Sequence, residues 1–399
     1  NLTVNAAGIT QSGALAVTGT ASFAAGAGAI TLANAGNSFG STVALSNSGA
    51  NPVSLTDSTP LSLAASTVGS GGLTLVSNGA ITQVGAVVTG GGTTSLTATG
   101  PADITLTTGT NDFGTVTVVV GQNVQLTDTN AVILGASTVS GNLTVNAAGI
   151  TQSGALAVTG TTSIAAGAGN NVVLDTAGNN FGGEVRIVSG NDVTLVDSNA
   201  IAFGNGGTST VSGNLTVTAV GISQTQPLAV TGAASFAGGT GAITLANAGN
   251  SFGSTVALSN SGANPVSLTD STPLSLAAST VGSGGLTLVS NGAITQVGAV
   301  VTGGGTTSLT ATGPADITLT TGTNDFGTVT VVVGQNVQLT DTNAVILGAS
   351  TVSGNLTVNA AGITQSGALA VTGTASFAAG AGAITLANAG NSFGSTVAL

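Results

Sequence analysis

"NLTVNAAGITQSGALAVTG" fills residues 1–19, and its reading decides the fold. Leu2 and Val4 point one way and Thr3 the other, the period of two that belongs to a β-strand. A turn follows, and the pattern starts again. "AITLANAG" (29–36), "GSTVALSN" (40–47), "NPVSLTDS" (51–58) and "TPLSLAAS" (59–66) read alike, as strands of three to five residues. Between them lie Asn-Ala-Gly, Ser-Asn-Gly and Thr-Gly clusters, whose residues tolerate left-handed backbone or hydrogen-bond their own main chain. No 3.6-residue period is sustained, and the helix formers Glu and Lys are almost missing.

The stretch returns. "NLTV" begins at residues 1, 142, 214 and 355, and the related "GLTL" at Gly72 and Gly285, so successive starts lie 71, 70, 72, 71 and 70 residues apart. The phrase "N-x-F-G" keeps the same beat, with Phe39, Phe113, Phe181, Phe252, Phe326 and Phe393. Residues 28–141 recur letter for letter at 241–354, and the first 45 residues recur as the last 45. Repeat units are read at about 1–71, 72–141, 142–213, 214–284, 285–354 and a truncated 355–399.

Short, regularly spaced strands build sandwiches, propellers or solenoids. A sandwich ends near ~100 residues and a propeller closes on itself, whereas this beat runs through the whole chain. The expectation is one continuous all-β parallel β-solenoid over 1–399, about three coils to each ~71-residue unit. Some 17 coils at about 4.8 Å each predict a rod of roughly 80 Å.

Composition excludes several functions. Of 399 residues only 3% are charged, with one cationic residue, Arg186, against twelve Asp and Glu, for a net charge of −11. Such a chain cannot neutralise phosphates, which excludes nucleic acid as a partner. No apolar run approaches the ~18–20 residues of a membrane-spanning helix. The aromatic girdles of a membrane barrel cannot be built without Tyr or Trp, so no membrane insertion is expected. Hydrophobic residues at 42%, mostly branched aliphatics, supply a core, which separates the chain from Gly-rich disorder. Cys is absent, so there is neither disulfide nor thiol chemistry. Starting at Asn1 without a basic-then-apolar leader, the sequence reads as a window on something longer.

The recurring phrases are the candidate sites. Phe39 and its five counterparts read as plugs of a wide corner, about 14 Å apart along the axis if three coils separate them. Gly40 would turn the chain there, and Asn34 and Asn37 suit stacked turns that bond the coils above and below. Asp57, Asp128, Asp197, Asp270 and Asp341, in "L-[TV]-D-[ST]", read as turn-closing residues along one lateral edge. At ~14 Å apart they cannot form the pair, about 5–9.5 Å apart, that glycoside hydrolysis requires. Asp112 and Asp325 precede the corner Phe, while Asp103, Asp175, Asp192 and Asp316 flank strands. Nothing resembles the Gly-rich Asp repeats that bind calcium in solenoids, so no cofactor or metal is expected, calcium being the one alternative.

Glu184 and Arg186 share the outer face of one strand, with Val185 and Ile187 inward; they read as drift within one unit. Asn1, Asn142, Asn214 and Asn355 fit the N-glycosylation sequon and equally a strand-initiating turn. Thr97/Thr99, Thr105/Thr107 and Thr115/Thr117 suggest the hydroxyl array of an ice-binding solenoid, but they read as scattered rather than repeated coil after coil. With no His, Lys, Cys or Tyr, nucleophilic, metal-hydrolytic and lyase chemistries lack their parts, and no enzyme is expected.

Runs such as "GNLTVNAAGITQSGALAVTGTASFAAGAGAITLANAGNSFG" resemble the repeat regions of filamentous-haemagglutinin-like proteins, very large β-solenoid exoproteins of Gram-negative bacteria. The resemblance covers essentially the whole chain. It implies secretion to the cell surface by a two-partner or autotransporter route and a role in adhesion or biofilm matrix. The amino-terminal secretion domain of that family is not visible in this window. Three expectations follow: the shaft of a secreted adhesin whose partners are met by regions outside the window, a filament or sheath subunit that self-associates end to end or laterally, or a solenoid binding ice or polysaccharide.

Overall fold

The computed structural model describes residues 1–100, 102–313 and 315–399, which form strands, turns and bends without a helix. Strand pairs are parallel throughout, the signature of a β-solenoid. The chain divides into two compact units, Asn1–Ser198 and Asn199–Leu399.

In the first unit the chain alternates between two faces, one beginning with Leu2–Asn5 and the other with Ile9–Thr10. On the first face Leu2 pairs with Ala21, Ala21 with Val43 and Val43 with Leu63. From Leu61 the same ladder runs through Ile81, Ile104 and Val124 to Leu143. A coil takes from 18 residues (Val132 to Ile150) to 23 (Ile81 to Ile104).

Seven such steps separate Leu2–Asn5 from Leu143–Asn146, its counterpart two repeats on. The roughly three coils expected per repeat are thus three and a half. Leu73–Ser77, the counterpart one repeat on, therefore lies on the opposite face. The second unit follows the same rule: Leu215–Thr218 and Leu356–Asn359 share a face seven steps apart, and Leu286–Ser290 lies on the other.

The half coil also moves the corners. Short third-side strands fill one edge of the first unit at Ala16–Val17 and Ser38–Phe39, where the chain passes from the second face to the first. They then fill the opposite edge at Ser66–Val68 and Val87–Thr89, continued by a single bridge to Asp112. They return to the first edge at Ser137–Val139, Leu156–Val158 and Asn180–Phe181. Each repeat thus carries one short third-side stack, and successive stacks alternate between edges.

Inside, aliphatic side chains stack coil on coil. Leu32, Leu55, Leu75, Leu96 and Val118 form one column of the second face, all at most 2% exposed. Each such side chain contributes about 1.5–3 kcal/mol relative to exposure. Thr94, Thr162 and Thr307 stand in the same kind of slot, each between a Leu and a Val, with buried hydroxyls that have no hydrogen-bond partner.

Candidate functional site

The third-side stacks explain the recurring phrases. In the last stack of the first unit Val139 pairs with Val158 and Val158 with Phe181, and there the stack stops. In the coil above Phe39, strand Val53–Asp57 leads straight to Leu61–Leu63, with no third-side strand between them. The Phe amide therefore has no ladder carbonyl to reach, and a buried N–H cannot be left unpaired without cost.

A carboxylate takes that place. Phe39 N donates to Asp57 Oδ1 at 3.3 Å, Phe113 N to Asp128 Oδ2 at 2.7 Å and Phe181 N to Asp197 Oδ2 at 3.2 Å. In the second unit Phe252 N reaches Asp270 Oδ1 at 3.4 Å and Phe326 N reaches Asp341 Oδ2 at 2.7 Å. Four of these carboxylates, those of Asp57, Asp128, Asp270 and Asp341, also accept a bond from the amide two residues on: from Thr59 (3.0 Å), Asn130 (2.9 Å), Thr272 (2.9 Å) and Asn343 (2.8 Å). Asp57 and Asp270 also accept the hydroxyls of Thr59 and Thr272, each at 2.7 Å. "N-x-F-G" and "L-[TV]-D-[ST]" are thus two halves of one cap, contributed by neighbouring coils.

A third element lies in the coil below. Asn37 is fully buried; its Oδ1 accepts from Gln11 Nε2 (2.7 Å) and Leu15 N (2.9 Å), and its Nδ2 donates to Gln11 Oε1 (2.9 Å) and Leu32 O (3.0 Å). The expected stacking of like amides is replaced by a reciprocal Gln–Asn pair. It recurs as Gln83–Asn111, Gln152–Asn179, Gln224–Asn250, Gln296–Asn324 and Gln365–Asn391. Asn111 goes one coil further, donating to Thr127 O at 3.1 Å. The glutamines were missed in the sequence, although each ends an "I-T-Q" or "I-S-Q" that keeps the repeat's beat. Asn34 is exposed; its Oδ1 accepts from Gly36 N in its own turn (2.9 Å) and its backbone amide donates to Gln11 Oε1 in the coil below (3.3 Å).

Phe39, Phe113, Phe181, Phe252 and Phe326 are buried, and three corner rings meet a second Phe edge to face. Phe39 and Phe23 have ring centroids 6.0 Å apart at 83°, and Phe377 and Phe393 have theirs 6.2 Å apart. At Gly40 the constraint is the close approach of the coil below rather than an unusual turn. A Cβ there would stand 3.2 Å from Thr18 O, and at the equivalent Gly394 it would stand 2.4 Å from Thr372 O.

The half-coil offset corrects two expectations. Phe39 and Phe113 sit on opposite edges, and Phe39 shares its edge with Phe181, seven coils and about 34 Å away rather than 14 Å. Asp57 and Asp128 alternate in the same way instead of lining one edge. The capping carboxylates are therefore further apart than supposed.

Burial raises the pKa of Asp128, Asp270 and Asp341 above the usual carboxylate range, desolvation being the largest cause and the accepted hydrogen bonds opposing it. The charges of Asp112 and Asp325 push Asp128 and Asp341 up further. Asp112 and Asp325 are held in place by Asn130 Nδ2 (3.0 Å) and Asn343 Nδ2 (3.1 Å). Asp103 and Asp316 accept from the amides and side chains of Asn123 and Asn336. Among the described residues no three of His, Cys, Asp and Glu come together as a metal would need.

The remaining candidates are in strands and turns. Val185 and Ile187 are buried and Arg186 faces outward opposite Ser163. The sequon asparagines tie successive coils: Asn1, Asn142, Asn214 and Asn355 accept the amides of Thr20, Thr161, Ala233 and Thr374 at 2.8–2.9 Å. Thr115 and Thr117 do lie side by side outward, whereas Thr99 bonds back to Ser77 O at 3.1 Å. What the local Thr-x-Thr reading did not show is a single hydroxyl column that continues from coil to coil.

These are the features of a β-solenoid repeat protein whose motifs cap its own ladders. The model of the family "Repeats of unknown function (DUF5649)" matches residues 1–46, 50–120, 121–188, 190–259, 263–333 and 334–399, and the chain belongs to that family. No curated protein and no solved structure matches it.

Proposed function

We propose that this chain is a non-catalytic shaft, the repeat portion of an extracellular adhesin or biofilm-matrix protein of the filamentous-haemagglutinin-like kind. One observation carries the reading: the most regular polar constellation, the Gln–Asn–Asp cap, turns its hydrogen bonds onto itself and onto the backbone of its own and neighbouring coils, while Asp57 Oδ2 and Asp270 Oδ2 are buried without a partner. A residue set that repeats in this way serves every repeat alike, as a spacer requires. The scarcity of cationic residues supports an extracellular life, since trypsin-like proteases find one cleavage position, after Arg186.

Immunogold labelling of intact, unpermeabilised cells of the source organism tests the reading, with antibodies raised against this chain. Surface label, extended away from the outer membrane, is expected. Label seen only after permeabilisation overturns it.

A further inference from the structure

We propose that the second face of the first unit is the surface through which two copies of this chain pack side by side. In register along that face stand Thr10, Thr31, Ser54, Thr74, Ser95 and Thr117, one small hydroxyl per coil over six coils. Next to the column an irregularity pairs Leu96 with Val118 and Thr97 with Val120, which pushes Val119 out. Val119, Val120 and, one coil on, Ile133 are 48%, 41% and 39% exposed. Bulges of this kind re-aim side chains, and here they raise an apolar knob beside a strip of small residues.

Three observations select a second copy as the occupant. First, the outward positions of this face carry no charge: Asp57, the only acid in its ten strands, points inward and is 1% exposed. The first unit's other acids, Asp103, Asp112, Asp128, Asp175, Glu184, Asp192 and Asp197, lie outside its strands, so this face lets copies approach. Second, the area suffices. Ten layers about 4.8 Å apart, across about 15 Å of strand, offer roughly 700 Å² per copy, or about 1,400 Å² in all, the size of a stable interface. Third, the surface is offered twice. Residues 28–141 recur at 241–354, and Thr244, Ser267, Thr287, Ser308 and Thr330 form the same column in the second unit, beside Val332, Val333 and Ile346. The protruding valines favour a protein partner, which can recess to receive them, over a flat crystalline surface. Two sheets so apposed would lie about 10 Å apart with interleaved side chains.

The inference rests on the shaft reading only in leaving this face free of substrate, and its test is independent of where the protein resides. Sedimentation velocity of the full chain over a wide concentration range should show reversible dimers or larger species. The double variant Thr74→Glu/Thr287→Glu sets like charges across the interface and should weaken association by more than about tenfold. Thr82→Glu/Thr295→Glu, placed outward on the opposite face of each unit, should leave association unchanged. Val119→Ser/Val332→Ser, which removes only exposed groups, should weaken it by a smaller factor, with circular dichroism reporting an intact fold in each variant. A wild-type chain that stays monomeric overturns the proposal, as does equal sensitivity to the two glutamate pairs. Wild-type monomers that bind microcrystalline cellulose or ice, lost in Thr74→Glu/Thr287→Glu, reassign the face and overturn it too.

Discussion

The amide of Phe113 donates to Asp128 Oδ2 at 2.7 Å, joining a residue at the end of one strand stack to a carboxylate in the coil above. Removing the acceptor strands the amide in a buried place. Asp128→Ala should cost about 1–3 kcal/mol locally, and Asp128→Asn, which keeps an acceptor oxygen, distinctly less. In a solenoid the loss is local before it is global. Hydrogen exchange should therefore show faster exchange at Phe113 and its neighbouring coils, with distant coils unaffected. Unchanged protection at Phe113 in Asp128→Ala would refute the cap.

The raised pKa values of Asp128, Asp270 and Asp341 set a pH dependence. A carboxyl whose folded pKa lies above its unfolded value of 3.8 contributes stability that is complete below 3.8 and lost as pH rises through the folded pKa. The thermal midpoint should therefore rise as pH is lowered from neutrality towards about 4. The triple variant Asp128→Asn/Asp270→Asn/Asp341→Asn should flatten that rise. A midpoint that falls over the same range, equally in both proteins, would contradict the assignment.

Thr94, Thr162 and Thr307 bury a hydroxyl with no partner in columns otherwise built from Leu and Val. Valine has nearly the same shape and no such group to desolvate. Each Thr→Val substitution should stabilise the fold by about 1 kcal/mol or more, read as a higher denaturant midpoint at unchanged slope. Destabilisation would mean that the hydroxyl has a partner after all.

Repeats spanning three and a half coils should be interchangeable, but only with a switch of faces. In a chain lacking residues 73–142, Leu143 follows Gly72 and Thr144 takes the place of Thr74, next to Ser54. In the full chain Thr144 instead stands between Gln125 and Ser163 on the other face. With no native Cys to interfere, the pair Ser54→Cys/Thr144→Cys should form a disulfide in the shortened chain, where the Cα atoms fall within the required 4.4–6.8 Å. The full-length pair should stay reduced. A disulfide in the full chain, or none in the shortened one, would contradict the half-coil offset.

Much of this architecture is legible residue by residue. The alternation in Leu2-Thr3-Val4 states which side chains enter the core, because the strand's period of two leaves no other choice. The beat of Phe39, Phe113 and Phe181 marks the repeat, and a repeat of short strands without closure is a solenoid. The roles of Asp57 and Asn37 were legible only in part. Each could be seen to suit a turn, but their partners Phe39 and Gln11 lie 18 and 26 residues away and become neighbours only when coils stack.

The sequence by itself thus determined the strands, their inward faces, the repeat and the solenoid class, all of which follow from local periodicity. Tertiary structure alone decided how many residues close a coil, 19 in one place and 23 in another. That number depends on how the chain crosses each corner, which no alternation records. From it follow the half-coil offset, the alternating edges and the joining of separate motifs into one cap. The physical reason is that parallel strands find their partners by stacking, and the register of a stack is a property of the whole coil.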